Sequence, residues 1–514
     1  MNVGIAIQNT ARRAPDAAAV IEGDRTLTYA QLDERSNRLA DVLVGAFDVH
    51  RGDRVALLTP NRTEIVEVMA ACAKLGAVYC GLNFRLGEEE YDAILENAAP
   101  KLVICGDEHR EQAATLAARH GATLLDIDGA GDDGYEARIA AAQDVTPQGI
   151  HEVRSADHFC LVYTSGTTGR PKGVLFDVGS VVQHATVALQ EFELNADSRW
   201  LVALPHNSSV QITFVPLLLV GGTVIFDESR GFDGQRFAAA VRNHGATHTY
   251  LVPTMLFRLL EAGVGPDDIP TLQTVGYGAA PCPPDRIKQL VERFGPRFTQ
   301  LYGMAEIASI GTMLRKQDHA RAAAGEDHIF ASCGRPSCVM DVRVVDGEGH
   351  DVPDGERGEV IFGSPHTMLE YYRDEPRTAE ALIDGWMHSG DIGMRDADGY
   401  IYIVDRKKDL IIRGGFNIVP SEVENVLYAH PAVLEVAVVG TPDPEWGEAL
   451  AAGVALKDGA DADEAELQAW CREQGLPSVK VPERVMFFPT LPKNAVGKLA
   501  KRDVRDVLIS NAPA

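Results

Sequence analysis

A segment rich in glycine and hydroxyl side chains, from Tyr163 to Gly173, has the clearest chemical use in the sequence. Its three glycines let backbone N–H groups approach a ligand, its four Ser and Thr hydroxyls are further donors, and Lys172 adds a positive charge. Together these groups suit a polyphosphate. The spacing is not that of a Walker A loop, because Pro171 stands where the second glycine belongs. A flexible surface turn is the alternative interpretation. The candidate phosphate-binding residues are Thr164, Ser165, Gly166, Thr167, Thr168, Gly169 and Lys172.

Six later segments extend this pattern along nearly the whole chain. In order, they are Gly278–Pro281, Gln300–Glu306, Gly385–Asp391, Asp405–Asp409, Gly414–Ile418 and Pro492–Lys498. With the glycine-rich loop they resemble, in order and spacing, the signature segments of the adenylate-forming superfamily. That superfamily includes acyl- and aryl-coenzyme A synthetases, adenylation domains of nonribosomal peptide synthetases, and luciferases. One such match would be weak evidence, but six in order make coincidence negligible.

The resemblance implies an ATP site. An adenine needs a flat apolar surface and a close backbone, which Tyr302 and the small residues near Gly278 can supply. Glu306 fits an oxygen ligand for Mg²⁺ bridging phosphates, although alone it is also typical of a solvated surface. Asp391 can accept both ribose hydroxyls, and Arg406 can donate to the sugar or a phosphate. Taken alone, Tyr302 also suits core packing, and Asp391 a turn. The nucleotide-site residues beyond the loop are Gly278, Ala279, Ala280, Gln300, Tyr302, Gly303, Asp391 and Arg406.

The resemblance also assigns roles to residues near the C-terminus. Lys498 matches the lysine that neutralises charge between the carboxylate and the α-phosphate during adenylation. Lys408 matches the hinge about which the C-terminal domain rotates. Gly414 and Gly415 match the face that leaves room for the pantetheine arm of coenzyme A. The plain alternatives are a charged loop tip for Lys498 and an ordinary turn for the two glycines.

Two positions depart from the family pattern. The family usually has threonine at the position of Ala305, and loss of that hydroxyl is expected to cost about 0.5–1.5 kcal/mol of phosphate binding. The segment around His206 is two residues shorter than in relatives. We expect His206, Tyr250 and Gly276 to line the acyl pocket, although a satisfied structural role for His206 is equally compatible with the sequence.

Composition excludes several classes of function. The 514 residues include 48 Lys and Arg and 74 Asp and Glu, a net charge of −26, which argues against nucleic acid binding. The most apolar stretch is interrupted by Pro216 and Gly221, and it is shorter than the roughly 20 residues of a membrane span. The N-terminal residues do not resemble a signal peptide, so we expect a cytoplasmic protein. The eight cysteines include no Cys-x-x-Cys pair, which supports neither a disulfide framework nor structural zinc.

The elements that must position these residues alternate between strand and helix. Short β-branched runs such as Arg54–Leu58, Leu102–Cys105 and Thr223–Phe226 are separated by helical stretches, which predicts parallel, buried sheets. A capping box at Thr28 and Gln31 predicts one helix start. A helix is also expected from Asp285 to the residue before Gly295, and a further capping box, Ser421 with Glu424, predicts a helix in the last hundred residues.

We therefore expect an α/β fold in which two layered αβαβα-type sheets and a small β-barrel form residues 1–405. Residues 406–408 are the expected hinge, and residues 409–514 a smaller mobile α+β domain carrying Lys498. The resemblance implies a ligase that activates a carboxylic acid as acyl-AMP with release of pyrophosphate and transfers the acyl group to coenzyme A. Its cofactors would be ATP, Mg²⁺ and coenzyme A, and a homodimer is compatible with it.

Two alternatives stay open at this point. One is a free-standing enzyme that loads the phosphopantetheine of a separate carrier protein, since no carrier domain follows in the sequence. The other is an impaired pseudoenzyme that binds nucleotide or acyl ligand, for which Ala305 is the only support.

Overall fold

The protein is described by a computed structural model over residues 2–164, 170–208, 213–227, 231–406, 409–414, 416–444, 446–493 and 499–511. The chain divides into two compact units. Unit 1 comprises the residues up to Val342 and Phe362–Met387, and unit 2 comprises Arg343–Ile361 and the residues from His388 onward.

The strands are short and mostly buried, and several coincide with the apolar runs noted above. In chain order they are β1 (Ala18–Glu22), β2 (Arg25–Thr28), β3 (Arg54–Leu58), β4 (Val78–Gly81), β5 (Leu102–Cys105), β6 (Thr123–Asp126), β7 (His158–Thr164), β8 (Lys172–Asp177), β9 (Arg199–Val202), β10 (Thr223–Phe226), β11 (His248–Leu251), β12 (Thr274–Gly278), β13 (Phe298–Tyr302), β14 (Thr312–Leu314), β15 (Arg335–Pro336), β16 (Asp341–Val345), β17 (Gly358–Gly363), β18 (Glu370–Tyr371), β19 (Leu382–Ile383), β20 (Trp386–Arg395), β21 (Ile401–Arg406), β22 (Ile411–Arg413), β23 (Phe416–Ile418), β24 (Val433–Asp443), β25 (Gly447–Leu456) and β26 (Arg484–Phe487).

The α-helices lie between these strands in sequence. They are α1 (Val3–Arg13), α2 (Tyr29–Phe47), α3 (Glu64–Leu75), α4 (Glu88–Ala98), α5 (Arg110–Arg119), α6 (Tyr135–Ala141), α7 (Val178–Glu191), α8 (Val215–Val220), α9 (Gly234–His244), α10 (Pro253–Glu261), α11 (Pro284–Phe294), α12 (Lys316–Ala323), α13 (Glu375–Ala381), α14 (Pro420–Tyr428), α15 (Glu464–Glu473) and α16 (Lys501–Ser510).

Unit 1 contains two mixed sheets. Sheet A has the strand order β15-β14-β13-β12-β11-β9-β10-β1-β2, and sheet B has the order β18-β8-β7-β4-β3-β5-β6. The inner strands are parallel, and the antiparallel pairs lie toward the ends, as in many α/β proteins. Helices α4 and α5 pack on sheet B, where Ile94, Val103 and Leu116 are at most 1% exposed. The expected parallel, buried sheets are confirmed.

Local sequence explains where three helices begin. Helix α2 has the predicted capping box, with Thr28 accepting from the Gln31 N–H and the Gln31 side chain accepting from the Thr28 N–H. Helix α11 begins at Pro284, one residue before the predicted start, and ends at Phe294 before Gly295. Helix α14 also begins at a proline, Pro420.

The capping box predicted at Ser421 and Glu424 is wrong. The Ser421 N–H donates instead to Asp405 Oδ2, at 2.9 Å. Glu424 accepts from the Val438 N–H at 2.7 Å and pairs with Lys501 Nζ at 2.8 Å. The Ser421 hydroxyl donates to the Val404 carbonyl, so tertiary partners take both side chains away from the helix end.

Unit 2 holds most of sheet C and all of sheet D. Sheet C, with strand order β16-β17-β20-β19 and β21 paired to β20, forms a half-barrel in the place of the expected small barrel. Sheet D has the order β23-β22-β25-β24 with β26 beside β25, and its core includes Leu427, Val436 and Leu450. The α/β class with layered sheets and a smaller α+β C-terminal domain is confirmed, whereas the boundary at residues 406–408 stays a prediction. Over the described ranges, we find no helix of the length and apolarity that a membrane span requires.

Candidate functional site

Strands β7 and β8 hold the two ends of the glycine-rich loop together. Thr164, the last residue of β7, is the antiparallel partner of Lys172, the first residue of β8. Strand β7 is fixed by buried apolar side chains, since Phe159 and Leu161 are 3% and 1% exposed. The predicted loop residues Ser165, Gly166, Thr167, Thr168 and Gly169 lie outside the described residues, so their phosphate contacts stay predictions.

Two neighbouring parallel strands of sheet A bring the predicted adenine-binding segments side by side. Tyr277 of β12 is the register partner of Gln300 in β13, and Gly278 is the partner of Leu301. Ala279, Ala280 and Gly303 therefore follow at the same edge of the sheet, where open α/β sheets bind ligands. An added Cβ at Gly278 would lie 2.3 Å from the Leu301 carbonyl oxygen, so that no other residue fits there.

A buried histidine, His319, lies within hydrogen-bond distance of the Tyr277 side chain in β12. The Tyr277 hydroxyl lies 2.9 Å from His319 Nε2 and 3.2 Å from Gln300 Oε1. Burial lowers the pKa of His319 to about 4, so the imidazole is neutral near pH 7. His319 Nδ1 lies 2.9 Å from the Arg315 carbonyl and must carry the proton, so Nε2 accepts from Tyr277. The predicted residue Tyr302 packs its ring 5.9 Å from that of Phe362.

Glu306 is buried and held at two points. It lies in a 3₁₀ turn directly after β13 and is 6% exposed, so the solvated-surface interpretation is wrong. The Tyr371 hydroxyl donates to Glu306 Oε1 at 2.5 Å, and the Met368 N–H donates to the Glu306 carbonyl at 2.7 Å. Burial and the Glu306 carboxylate raise the pKa of Tyr371, which keeps its proton. Lys172 Nζ lies 4.7 Å from the centre of the Tyr371 ring.

The sequence alone does not point to Tyr371. It lies in none of the signature segments, and its partner Glu306 is 65 positions away in the chain. A two-tyrosine pair, Tyr371 and Tyr372, was the only local signal.

The residues expected to line the acyl pocket fall into two groups. Tyr250 packs against the backbone of β12. A Cβ added at Gly276 would lie 2.9 Å from the Tyr250 ring, and a Cβ added at Gly278 would lie 2.8 Å from the Tyr250 hydroxyl. Burial raises the pKa of Tyr250. His206 is fully buried, with Nδ1 2.9 Å from the Tyr79 hydroxyl, and burial lowers its pKa to about 4. The bond to Tyr79 fits a structural role, but Nε2 is buried without a hydrogen-bond partner among the described residues, so both roles that the sequence left open for His206 stay open.

Unit 2 carries the other predicted residues. Asp391 and Arg406 are register partners on β20 and β21, and Arg406 Nε lies 3.2 Å from Asp391 Oδ1. Asp391 is only 8% exposed, and its N–H donates to Ser389 Oγ at 3.0 Å. Gly414 has a left-handed φ of 55° and lies under the ring of Trp446, which an added Cβ would meet at 2.7 Å. Lys408, Gly415 and Lys498 lie outside the described residues.

Comparisons with known proteins agree with this arrangement. A family model described as AMP-binding enzyme matches residues 7–372, and a second, described as AMP-binding enzyme C-terminal domain, matches residues 422–498. A feruloyl-CoA synthase of an Amycolatopsis species is 41% identical over 499 residues, which are 96% of each chain.

Solved structures with the same fold contain the expected ligands. ATP-bound MatB from Rhodopseudomonas palustris has a TM-score of 0.88 and 29% identity over 99% of both chains. The o-succinylbenzoate CoA synthetase of Bacillus subtilis, in complex with its acyl-adenylate intermediate, has a TM-score of 0.86 and 29% identity over 98% of both chains. The chain therefore belongs to the AMP-binding enzyme family, as an ATP-dependent ligase that activates a carboxylic acid as acyl-AMP and transfers it to coenzyme A.

Proposed function

We propose that the acid is an aromatic one of the phenylpropenoic class, in which a ring and a carboxylate are joined by a short planar linker. The observation that carries this proposal is the 41% identity to feruloyl-CoA synthase over 96% of both chains. The packing of Tyr250 against Gly276 and Gly278 is compatible with it, since it places an aromatic ring in the segment where the acyl pocket is predicted.

An ATP–pyrophosphate exchange screen tests the substrate class. Phenylpropenoic, phenylacetic, benzoic and fatty acids are compared at equal concentrations, and coenzyme A is then added to the best acid. We expect the highest kcat/KM for a phenylpropenoic acid, and a higher value for any fatty acid would refute the proposal. Loading of a separate carrier protein in preference to coenzyme A would favour the alternative acceptor.

We further propose that Glu306 holds the Mg²⁺ that accompanies ATP. A carboxylate has several lone-pair positions, and the Tyr371 hydroxyl uses only one of those on Oε1, which leaves oxygen donors for a hard cation. Magnesium is commonly bound by one or two carboxylates with phosphates and water completing its shell, so a single glutamate fits. When bound, the ion would neutralise phosphate charge. The change Glu306→Gln should raise the Mg²⁺ concentration needed for half-maximal exchange, and an unchanged value would remove Glu306 from this role.

The remaining assignments are proposed from the family motifs. Tyr302 with Gly278, Ala279 and Ala280 would hold the adenine, Asp391 and Arg406 the ribose, and Lys172 with the glycine-rich loop the phosphates. Gln300 and Gly303 would shape the same edge. Lys498 would act in adenylation, Lys408 as the hinge, and Gly414 with Gly415 beside the pantetheine arm. We propose the cytoplasm, where ATP and coenzyme A are available, as its compartment.

A further inference from the structure

A short stretch of chain, residues 364–372, connects the two charged side chains of the proposed phosphate site. On one side it holds Glu306, through the Met368 N–H and the Tyr371 hydroxyl. On the other side its strand β18 pairs antiparallel with β8, where Tyr371 is the partner of Val174. The Tyr372 N–H adds a hydrogen bond of 2.7 Å to the Gly173 carbonyl.

Tyr371 is the side chain at which these contacts meet. It is 3% exposed, its hydroxyl lies on the Glu306 carboxylate, and the face of its ring lies against the Lys172 ammonium. A hydroxyl donor restricts the rotation of a carboxylate, and an aromatic face attracts a cation without neutralising it. Tyr371 thus restricts the conformers of both the Glu306 carboxylate and the Lys172 ammonium.

We propose that Tyr371 is a positioning residue for adenylation, which occupies one oxygen of Glu306 so that the other faces Mg²⁺·ATP, and which steadies Lys172 beside the phosphates. This inference rests on the proposed role of Glu306. The hydroxyl and the ring have separable tasks, because the first acts on the metal ligand and the second on the lysine.

Two substitutions separate the tasks. Tyr371→Phe keeps the ring and removes the hydroxyl, so we expect the Mg²⁺ concentration for half-maximal exchange to rise about tenfold, the scale of one hydrogen bond to a charged group. The KM for the acid should stay within about twofold of wild type, which corresponds to a change of less than about 0.5 kcal/mol in the free energy of binding. Tyr371→Leu removes the ring as well. The affinity for ATP, measured by calorimetry without Mg²⁺, should therefore fall in Tyr371→Leu and remain at the wild-type value in Tyr371→Phe.

A matched control comes from the same unit. Tyr135, fully buried, donates its hydroxyl to Glu67 Oε2 at 2.9 Å, and Glu67 is also fully buried. Tyr135→Phe therefore removes the same kind of hydrogen bond from a carboxylate that is paired with Arg35 and lies outside the signature segments, and it should lower thermal stability without changing the Mg²⁺ dependence.

A second readout does not depend on turnover. Binding of Mn²⁺ to the enzyme with a non-hydrolysable ATP analogue, followed by electron paramagnetic resonance, should weaken in Tyr371→Phe and remain as in wild type in Tyr135→Phe. If Tyr371→Phe loses only thermal stability, as Tyr135→Phe does, Tyr371 is structural and the inference is overturned. If Glu306→Gln leaves Mn²⁺ binding unchanged, the proposed metal role itself fails, and that result is distinct from failure of Tyr371→Phe alone.

Discussion

Ala305 is the residue at which this chain departs from its family inside an otherwise matching segment. It begins the 3₁₀ turn that carries Glu306, and its neighbours Tyr302 and Gly303 keep the family identities. We expect Ala305→Thr to raise ATP affinity or the adenylation rate by up to about tenfold, because one hydrogen bond to a charged oxygen is worth about 1.4 kcal/mol. Calorimetry with ATP and exchange kinetics measure the two effects.

Ala305→Ser serves as the control, since it restores the hydroxyl with less bulk. A higher ATP affinity or adenylation rate in both variants would show that the hydroxyl supplies the missing hydrogen bond. Loss in Ala305→Thr with gain in Ala305→Ser would show that the space beside Ala305 is needed by the substrate or by water.

The sequence alone identifies residues whose side chains have an evident chemical use. It does not identify the residues that hold those side chains in place. Glu306 and Lys172 stand in signature segments. Tyr371 has no such segment, and its function depends on two tertiary contacts, one to each of those residues. His206 is a different case, because its buried bond to Tyr79 is a tertiary contact that the sequence does not show, and its place in the acyl pocket stays a prediction.

Gly334 shows how an element depends on one close approach. It precedes β15 with a left-handed φ of 88°, and an added Cβ would lie 2.1 Å from the Met313 carbonyl. Since β14 pairs with β13, we expect Gly334→Ala to destabilise the protein by about 4 kcal/mol or more and to reduce adenylation. Thermal unfolding and exchange kinetics check this.

Gly263 is the comparison for that change, because it has φ of 71° and an added Cβ there would lie more than 4 Å from the other described residues. Gly263→Ala should cost only the left-handed backbone penalty of about 1–2 kcal/mol. Equal costs in the two variants would mean that the contact with Met313 is relieved by a shift of the strand.

Most elements could be predicted because hydrophobic pattern and burial coincide. Strands β3, β5 and β10 match the predicted runs residue for residue, since each is a mostly apolar strand between two parallel neighbours. The capping box at Ser421 failed because Lys501 and the Val438 N–H, remote in sequence, compete for Glu424. Local chemistry does not reveal such competitors.

At the scale of the molecule, buried neutral histidines give stability a dependence on pH. Burial lowers the pKa of His206, His248, His319 and His366 to about 4. In the unfolded chain these groups have a pKa of about 6.5, so between pH 6.5 and 4 the unfolded state binds protons that the folded state does not. Stability should therefore fall as pH decreases through this window, by about 1.4 kcal/mol per unit for each histidine.

Thermal unfolding at pH 7, 6 and 5 measures this slope. His319→Gln, whose amide can also donate and accept, should flatten the slope. A slope unchanged by His319→Gln would contradict the assignment.

Domain alternation predicts opposite effects for two lysines. We expect Lys498→Ala to abolish adenylation while the reaction of preformed acyl-adenylate with coenzyme A continues. If Lys408 is the hinge, Lys408→Pro should spare adenylation and slow thioester formation, because proline fixes φ near about −65° and a hinge residue adopts two backbone states. Separate assays of the two half-reactions decide, and equal losses in both would contradict the alternation.

The pairing of β8 with β18 has a consequence for biosynthesis. The partner of Leu175 in this ladder is Glu370, which leaves the ribosome long after β8 does. At about 5–20 residues per second, roughly 10–40 s separate the two strands, and during that time the outer edge of β8 has unpaired backbone groups. A nascent chain released or cleaved in this interval keeps an open, association-prone edge beside Lys172 and lacks the segment that holds Glu306. Completion of the proposed phosphate site is therefore a late event in the synthesis of unit 1.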